Sequence, residues 1–484
     1  MPTSDEGSFR RRVLVGAGWL GASRIASQFV QFLVGLILAR LLTPTEFGIF
    51  ASVIVISGFG VLLFEGGLRA ALVHAESPSQ RDFSTVFWLN LGGGVVLAII
   101  MASIGPLLAD FYDQPVLTSL SPIVGLTFAC STGVVNAAKL QRELRFGAAA
   151  ILESSCTIAG LLVTLVMALM GAGVYSLAVG PVVSQILVSS GYAILHPWKP
   201  DLAVSWESIR RLMRYSLPLL ASNVTDYWGR NADKLLIGRF VGAAPLGFYS
   251  RAYNLMLLPL TQITQSVGGA VSPALARMNA DPARAGLAYL RSIRLLSMLT
   301  ITIMVAFAAT APALVEVLWG SRWQPAAPLL QVLALAGIPQ CIQVTCAWLY
   351  QAQGRTATMF RMTLLFTAIS IALMVFGLQW GAIGVCFALL VRYWVGLPFE
   401  LAVAIRRIDL TLGTVILAIL KVLVPVLVVG AAVYLVAYLL PFPPTSLQTL
   451  GVQLGLGAVL TVANLVLLQR DLLNEILPSR FRKG

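Results

Sequence analysis

Leu38-Ala39-Arg40 followed by Glu46-Phe47-Gly48-Ile49-Phe50 is matched 199 positions later by Ile237-Gly238-Arg239 followed by Pro245-Leu246-Gly247-Phe248-Tyr249. Each stretch joins two long apolar runs through a short polar turn. At the same offset Ala22-Ser23 meets Ala221-Ser222. Further on, Gln141 and Arg145 meet Gln351 and Arg355, and Gly171-Ala172 meets Gly381-Ala382, now 210 positions apart. The small drift fits loop insertions between two copies of one unit.

Working outward from the repeat, apolar runs of about 20 residues recur from end to end, each long enough to cross a bilayer as a helix. The 484-residue chain is 58% hydrophobic and only 11% charged, whereas an ordinary soluble domain is about 25% charged. The expected architecture is an all-α polytopic membrane protein of about fourteen transmembrane helices. They are placed at 16–39, 45–68, 84–108, 116–138, 147–170, 174–195, 213–240, 245–272, 292–313, 326–350, 359–379, 382–404, 413–439 and 447–468. Punctuators such as Thr43-Pro44, Gly171-Ala172-Gly173 and Pro441-Phe442-Pro443-Pro444 separate them. Two parallel six-helix repeats, 13–205 and 206–408, surround a central cavity, and 409–470 supplies two additional helices. Six is even, so both copies start on the same membrane side, and the axis relating them runs along the membrane normal.

The net charge of +13 is read as orientation rather than as a nucleic-acid patch. With an inside N-terminus and alternating sides, most of the 33 Lys and Arg residues fall on the inner side, and only Arg40, Arg239 and Arg322 on the outer. Both termini are thus expected in the cytoplasm, with no nucleic-acid partner. The five cysteines all lie in apolar segments without a CxxC pair, and the two histidines are too few for a zinc site. Arg10, Arg11 and Arg12 precede an apolar run that is too long for a signal h-region, so it reads as a retained helix.

Charges inside a bilayer are costly, so they mark cavities or partners. The seventh predicted helix carries Asn223, Asp226, Arg230, Asp233 and Lys234 at spacings of three and four, which places them on one face. Its repeat partner, the first helix, carries Arg24, Gln28 and Gln31. Arg251, Asn254, Gln262 and Gln265 share one side of the next helix, and Arg392 lies mid-helix in the second copy. Arginine suits phosphate because its planar fork donates hydrogen bonds in pairs. The expected substrate-binding set is therefore Arg24, Gln28, Gln31, Asn223, Asp226, Arg230, Asp233, Lys234, Arg251 and Arg392, lining a water-filled cavity for an anionic headgroup. Helix-stabilising ion pairs are the alternative reading of Asp226, Arg230 and Asp233. Neither a catalytic motif nor a GxxxxGK[ST] nucleotide loop is present.

Several motifs carry a family resemblance: Arg40-Leu41-Leu42-Thr43-Pro44-Thr45-Glu46-Phe47-Gly48, Ser84-Thr85-Val86-Phe87-Trp88-Leu89-Asn90, Leu140-Gln141-Arg142-Glu143-Leu144-Arg145-Phe146, Gly171-Ala172-Gly173-Val174-Tyr175-Ser176, and Asp233-Lys234-Leu235-Leu236-Ile237-Gly238-Arg239. Through them the chain resembles the polysaccharide transporters of the MOP flippase superfamily, of the Wzx type and its colanic-acid-exporter branch. The resemblance covers roughly residues 15–410. It implies a non-enzymatic flippase in the bacterial inner membrane that moves a polyprenyl-diphosphate-linked oligosaccharide to the outer leaflet by alternating access. No cofactor is implied beyond a coupling ion, H+ or Na+. Membrane lipids, a polysaccharide polymerase and export machinery are the implied partners. Lipid II flippases carry Arg-Asp on the first helix, and Arg24-Ile25 departs from that pattern. Two rivals remain: a multidrug or small-solute antiporter of the same superfamily, and a membrane-bound polysaccharide polymerase or ligase.

Overall fold

A computed structural model describes residues 26–74, 78–143, 145–202 and 204–468. Among them the regular structure is helical, in fifteen α-helices with short 3-10 turns between some. The first, α1, is described over Ala26–Leu41. It is followed by α2 (Pro44–His74), α3 (Gln80–Tyr112), α4 (Leu117–Ala129), α5 (Val134–Arg142), α6 (Phe146–Leu169), α7 (Val174–Leu195), α8 (Trp206–Phe240) and α9 (Ala243–Arg277). Then come α10 (Pro282–Trp319), α11 (Ala326–Ala352), α12 (Thr356–Gly377), α13 (Gly381–Ala404), α14 (Leu412–Leu439) and α15 (Leu447–Leu468). Ten stretches among the described residues are long and apolar enough to cross a membrane, one of them spanning both α12 and α13. This is a multi-pass membrane protein.

Over the described residues the apolar runs expected from sequence coincide with helices, with two instructive departures; the part of the first run at 16–25 lies outside the described residues. The run at 116–138 is two helices: Gly133 sits against Ser189 and Tyr192, and Ser189 Oγ donates to the Cys130 carbonyl across the intervening turn. The run placed at 292–313 belongs to a helix of 38 residues, Pro282–Trp319. At about 1.5 Å per residue it far exceeds the ~30 Å hydrocarbon core. Apolarity stops where lipid stops, while the helix continues with Arg284, Arg291 and Arg294 on its turns. Asp281 caps its start, accepting from the Arg284 amide at 3.0 Å. Helix α3 starts on a reciprocal box, in which Ser79 and Asp82 each cap the other's backbone amide.

The chain divides into two compact units, Met1–Gly247 and Phe248–Gly484. In the first, α2 packs along α8, α3 on α4, and α6 on α7. In the second, α11 packs on α10 and α13, α12 on α13, and α14 and α15 on α10 and on each other. The two helices outside the repeat are thus built into the second unit. The unit boundary lies further along the chain than the 205/206 junction of the repeats, because α8 is held by α2.

The repeat also appears as geometry. A Cβ on Gly48 would collide with the Ala243 carbonyl, and a Cβ on Gly247 with the Pro44 carbonyl. The 199-residue offset relates Gly48 to Gly247 and Pro44 to Ala243, so the contact is its own mirror under the repeat. Two helix starts approach to backbone contact only because both copies carry glycine there. Gly171 and Gly381, equivalent at the later offset, both have positive φ, 80° and 69°, in the turn before α7 and at the first residue of α13.

The segment between the repeats is strapped to α3. Trp198 Nε1 donates to Gln80 Oε1 (2.7 Å), and Gln80 Nε2 donates to the Lys199 carbonyl (3.0 Å). Trp88 Nε1 donates to the Asp201 carbonyl (2.8 Å). Lys139 completes the corner, its ammonium over the rings of Phe83 and Trp198 at 4.6 and 4.3 Å.

Candidate functional site

Aromatic packing decides where the charges of α8 point. Tyr227 and Trp228 turn towards α2, where Phe59 lies against both rings at centroid distances of 5.9 and 5.2 Å. Tyr227 Oη donates to the Val55 carbonyl, and Gly58 leaves the room for it. With that face committed, Asp226 and Arg230, one turn apart, face away from α2. Arg230 Nε meets Asp226 Oδ2 at 3.0 Å, yet the side chains stay 63% and 54% exposed. An ion pair open near the middle of a 35-residue helix is a poor fit to hydrocarbon and a good fit to water.

The remaining α8 residues, expected on one polar face, divide among different surroundings. Asp233 is buried at 3% exposure, its Oδ1 accepting from the Lys234 amide at 2.7 Å. Lys234 is half-buried and donates to Asn231 Oδ1 at 3.1 Å, while Asn231 Nδ2 donates back to the Tyr227 carbonyl at 2.9 Å. Asn223 is half-buried. The open part of the expected cluster is therefore Asp226 with Arg230, flanked by a polar string Tyr227–Asn231–Lys234 that faces the protein. Asn231 was absent from the sequence set. Its signal was present, four residues after Tyr227 and three before Lys234.

Gln28 and Gln31 are exposed on α1; Arg24 lies outside the described residues. On α9, Asn254, Gln262 and Gln265 are exposed along one side, and Arg251 is half-buried.

Arg392 stands in a different setting. It is 8% exposed and gathers partners from three helices. Its Nη1 donates to Gln343 Oε1 of α11 at 2.8 Å, its Nε to Ser370 Oγ of α12 at 3.1 Å, and its Nη2 lies 3.2 Å from Glu400 Oε1 of α13. Its guanidinium also lies over the rings of Tyr393 and Phe366, at 4.5 and 4.9 Å. The sequence placed Arg392 on the cavity lining; the structure holds it inside the second unit. Glu400, eight residues away, was missed because helical spacing suggests partners at three or four; a long side chain bridged two turns instead.

No group of three or more His, Cys, Asp or Glu among the described residues is arranged to hold a metal ion. Long apolar helices, a symmetric repeat and an open ion pair on α8 define a multi-pass membrane protein. Its fold is similar to that of an inward-closed lipid II flippase MurJ, on which it superposes with a TM-score of 0.75, over 93% of this chain and 99% of that one at 17% identity. An inward-facing MATE family transporter of the MOP superfamily gives 0.63, over 79% and 96% at 14% identity. The chain belongs to the polysaccharide biosynthesis protein family, whose profile matches residues 37–328. Relatives include the lipopolysaccharide biosynthesis protein WzxC of Escherichia coli, 24% identical over 94% of this chain and 89% of that one. The succinoglycan biosynthesis transport protein ExoT of Rhizobium meliloti is 27% identical over 69% and 67%. The teichuronic acid biosynthesis protein TuaB of Bacillus subtilis is 25% identical over 73% and 74%.

Proposed function

We propose that this transporter flips a polyprenyl-diphosphate-linked oligosaccharide from the cytoplasmic to the outer leaflet of the bacterial inner membrane, by alternating access. Both chain termini lie in the cytoplasm. The observation that carries the reading is the open Asp226–Arg230 pair on α8, in a chain whose family serves polysaccharide biosynthesis. A diphosphate brings acceptor oxygens that match the guanidinium fork. Asp226 holds Arg230 extended until the headgroup arrives and competes for it. Exposed Gln28, Gln31, Asn254, Gln262 and Gln265 offer amides to sugar hydroxyls. The isoprenoid stays in lipid, so the membrane never meets the sugars. An ion gradient, H+ or Na+, supplies direction, and a polysaccharide polymerase consumes the product on the far side.

The experiment is a scrambling assay with purified protein in vesicles. Lipid-linked oligosaccharide is loaded symmetrically, and the outer pool is read with a membrane-impermeant periodate or glycosidase. Wild-type protein should expose nearly the whole pool, against about half in empty vesicles. A protein that leaves the protected half untouched while exporting a cationic dye is an antiporter, and the proposal fails.

A further inference from the structure

The outer surface of the second unit holds an apolar groove between α12 and α13, of about 610 Å³. Its α12 wall is Met362, Phe366, Ile369 and Leu373, successive positions of one helix face. From Met362 to Leu373 it runs about 17 Å at the helical rise, close to the ~15 Å depth of one leaflet of a 30 Å hydrocarbon core. Along α13 the wall ends at Arg406, just past the helix. Arg406 is exposed, forms no ion pair among the described residues, and shares its end of the hairpin with exposed Arg361 and Arg407. No acidic residue lines the groove. Arg392 underlies it but is committed to Glu400, Gln343 and Ser370, so the available charge is at the mouth.

We infer that this groove is a binding site for one anionic membrane phospholipid, with an acyl chain along α12/α13 and the phosphate on Arg406. Three observations converge on that occupant. Apart from Arg392 and Arg406 the groove is lined by apolar residues, it is one leaflet deep, and the only charged lining residue at its end is Arg406, which has no ion pair among the described residues. A polyprenyl chain of transport-substrate length would overrun a groove of this depth. The bound lipid also gives Arg406 the counter-charge it lacks among the described residues, and it fills the space between the two helices that carry Ser370 and Glu400. The site does not depend on what the protein transports.

The full-length protein would be reconstituted in vesicles doped with phosphatidylglycerol or phosphatidylcholine, each bearing the same photoreactive acyl chain, and labelled peptides mapped. Labelling on α12/α13 should favour phosphatidylglycerol about fivefold, the ratio equivalent to the ~1 kcal/mol of one arginine at an anionic surface. Arg406→Gln should erase the preference while chain labelling persists. Ala402→Trp, which fills the groove, should suppress labelling by both lipids; monodispersity and thermal unfolding identify any variant that misfolds. Added inorganic phosphate should change nothing. Equal labelling by the two lipids in the wild type overturns the inference, as does an unchanged preference in Arg406→Gln. Displacement of the probe by micromolar polyprenyl phosphate, but not by phosphatidylglycerol, assigns the groove to an isoprenoid and also overturns it.

Discussion

Two arginines on long helices meet opposite fates in this molecule. Arg392 on α13 is enclosed: a carboxylate, an amide, a hydroxyl and two aromatic faces satisfy it, and it is 8% exposed. Arg230 on α8 has its carboxylate one turn away and remains 63% exposed. A guanidinium with all its partners supplied holds helices together. One that stays largely exposed beside its carboxylate, as Arg230 does, is accessible to a ligand. The same residue type thus meets opposite surroundings on two helices: enclosed at Arg392, open at Arg230, and only the open one is proposed to meet substrate.

The largest effect that would break this contrast is loss of the enclosed pair. Glu400→Ala leaves Arg392 charged and uncompensated, and removal of one partner of a buried pair costs about 3–5 kcal/mol. Thermal unfolding in detergent should fall steeply, and Arg392→Met combined with Glu400→Leu should recover most of the loss. An unchanged melting temperature in Glu400→Ala would mean that the pair is not enclosed. Next in size is Gly48→Val, which forces a side chain into the Ala243 backbone. Overpacking of this kind costs about 1–3 kcal/mol, and Gly247→Val should match it because the repeat makes the two sites equivalent. A large difference between the two would contradict the symmetry.

Tyr227→Phe, smaller again, removes the hydrogen bond to the Val55 carbonyl, worth about 1 kcal/mol. It should reduce transport more than stability, since this contact aims the neighbouring charges. Asp226→Asn should scarcely move the melting temperature, because exposed pairs contribute about 0–1 kcal/mol, but it should change the concentration of lipid-linked substrate needed for half-maximal flipping. A stability loss as large as that of Glu400→Ala would place Asp226 in the structural class.

Much of this was legible before any coordinates. Apolar runs, the offset motifs and the arginine asymmetry give the helices and their repetition, because lipid imposes one period and one length on every span. Less legible was which charges are open. Asn223, Asp226, Arg230, Asp233 and Lys234 share one helical spacing, yet whether a side chain stays exposed depends on α2, far away in sequence. Phe59 and Val55 claim Tyr227, and that fixes the roll of α8. Glu400 is hard to read for a related reason: it meets Arg392 across eight residues of one helix, outside the three- and four-residue spacings, while the other partners of Arg392 come from α11 and α12. The turn at 130–133 was hidden because apolarity continues through it.

The most direct test is flipping by Arg230 variants in the same vesicles. Arg230→Ala should lower the flipping rate of lipid-linked oligosaccharide by at least tenfold at unchanged melting temperature, with Arg230→Lys recovering part of it, since lysine keeps the charge without the fork. Flipping at the wild-type rate in well-folded Arg230→Ala would contradict the assignment of α8 to the headgroup.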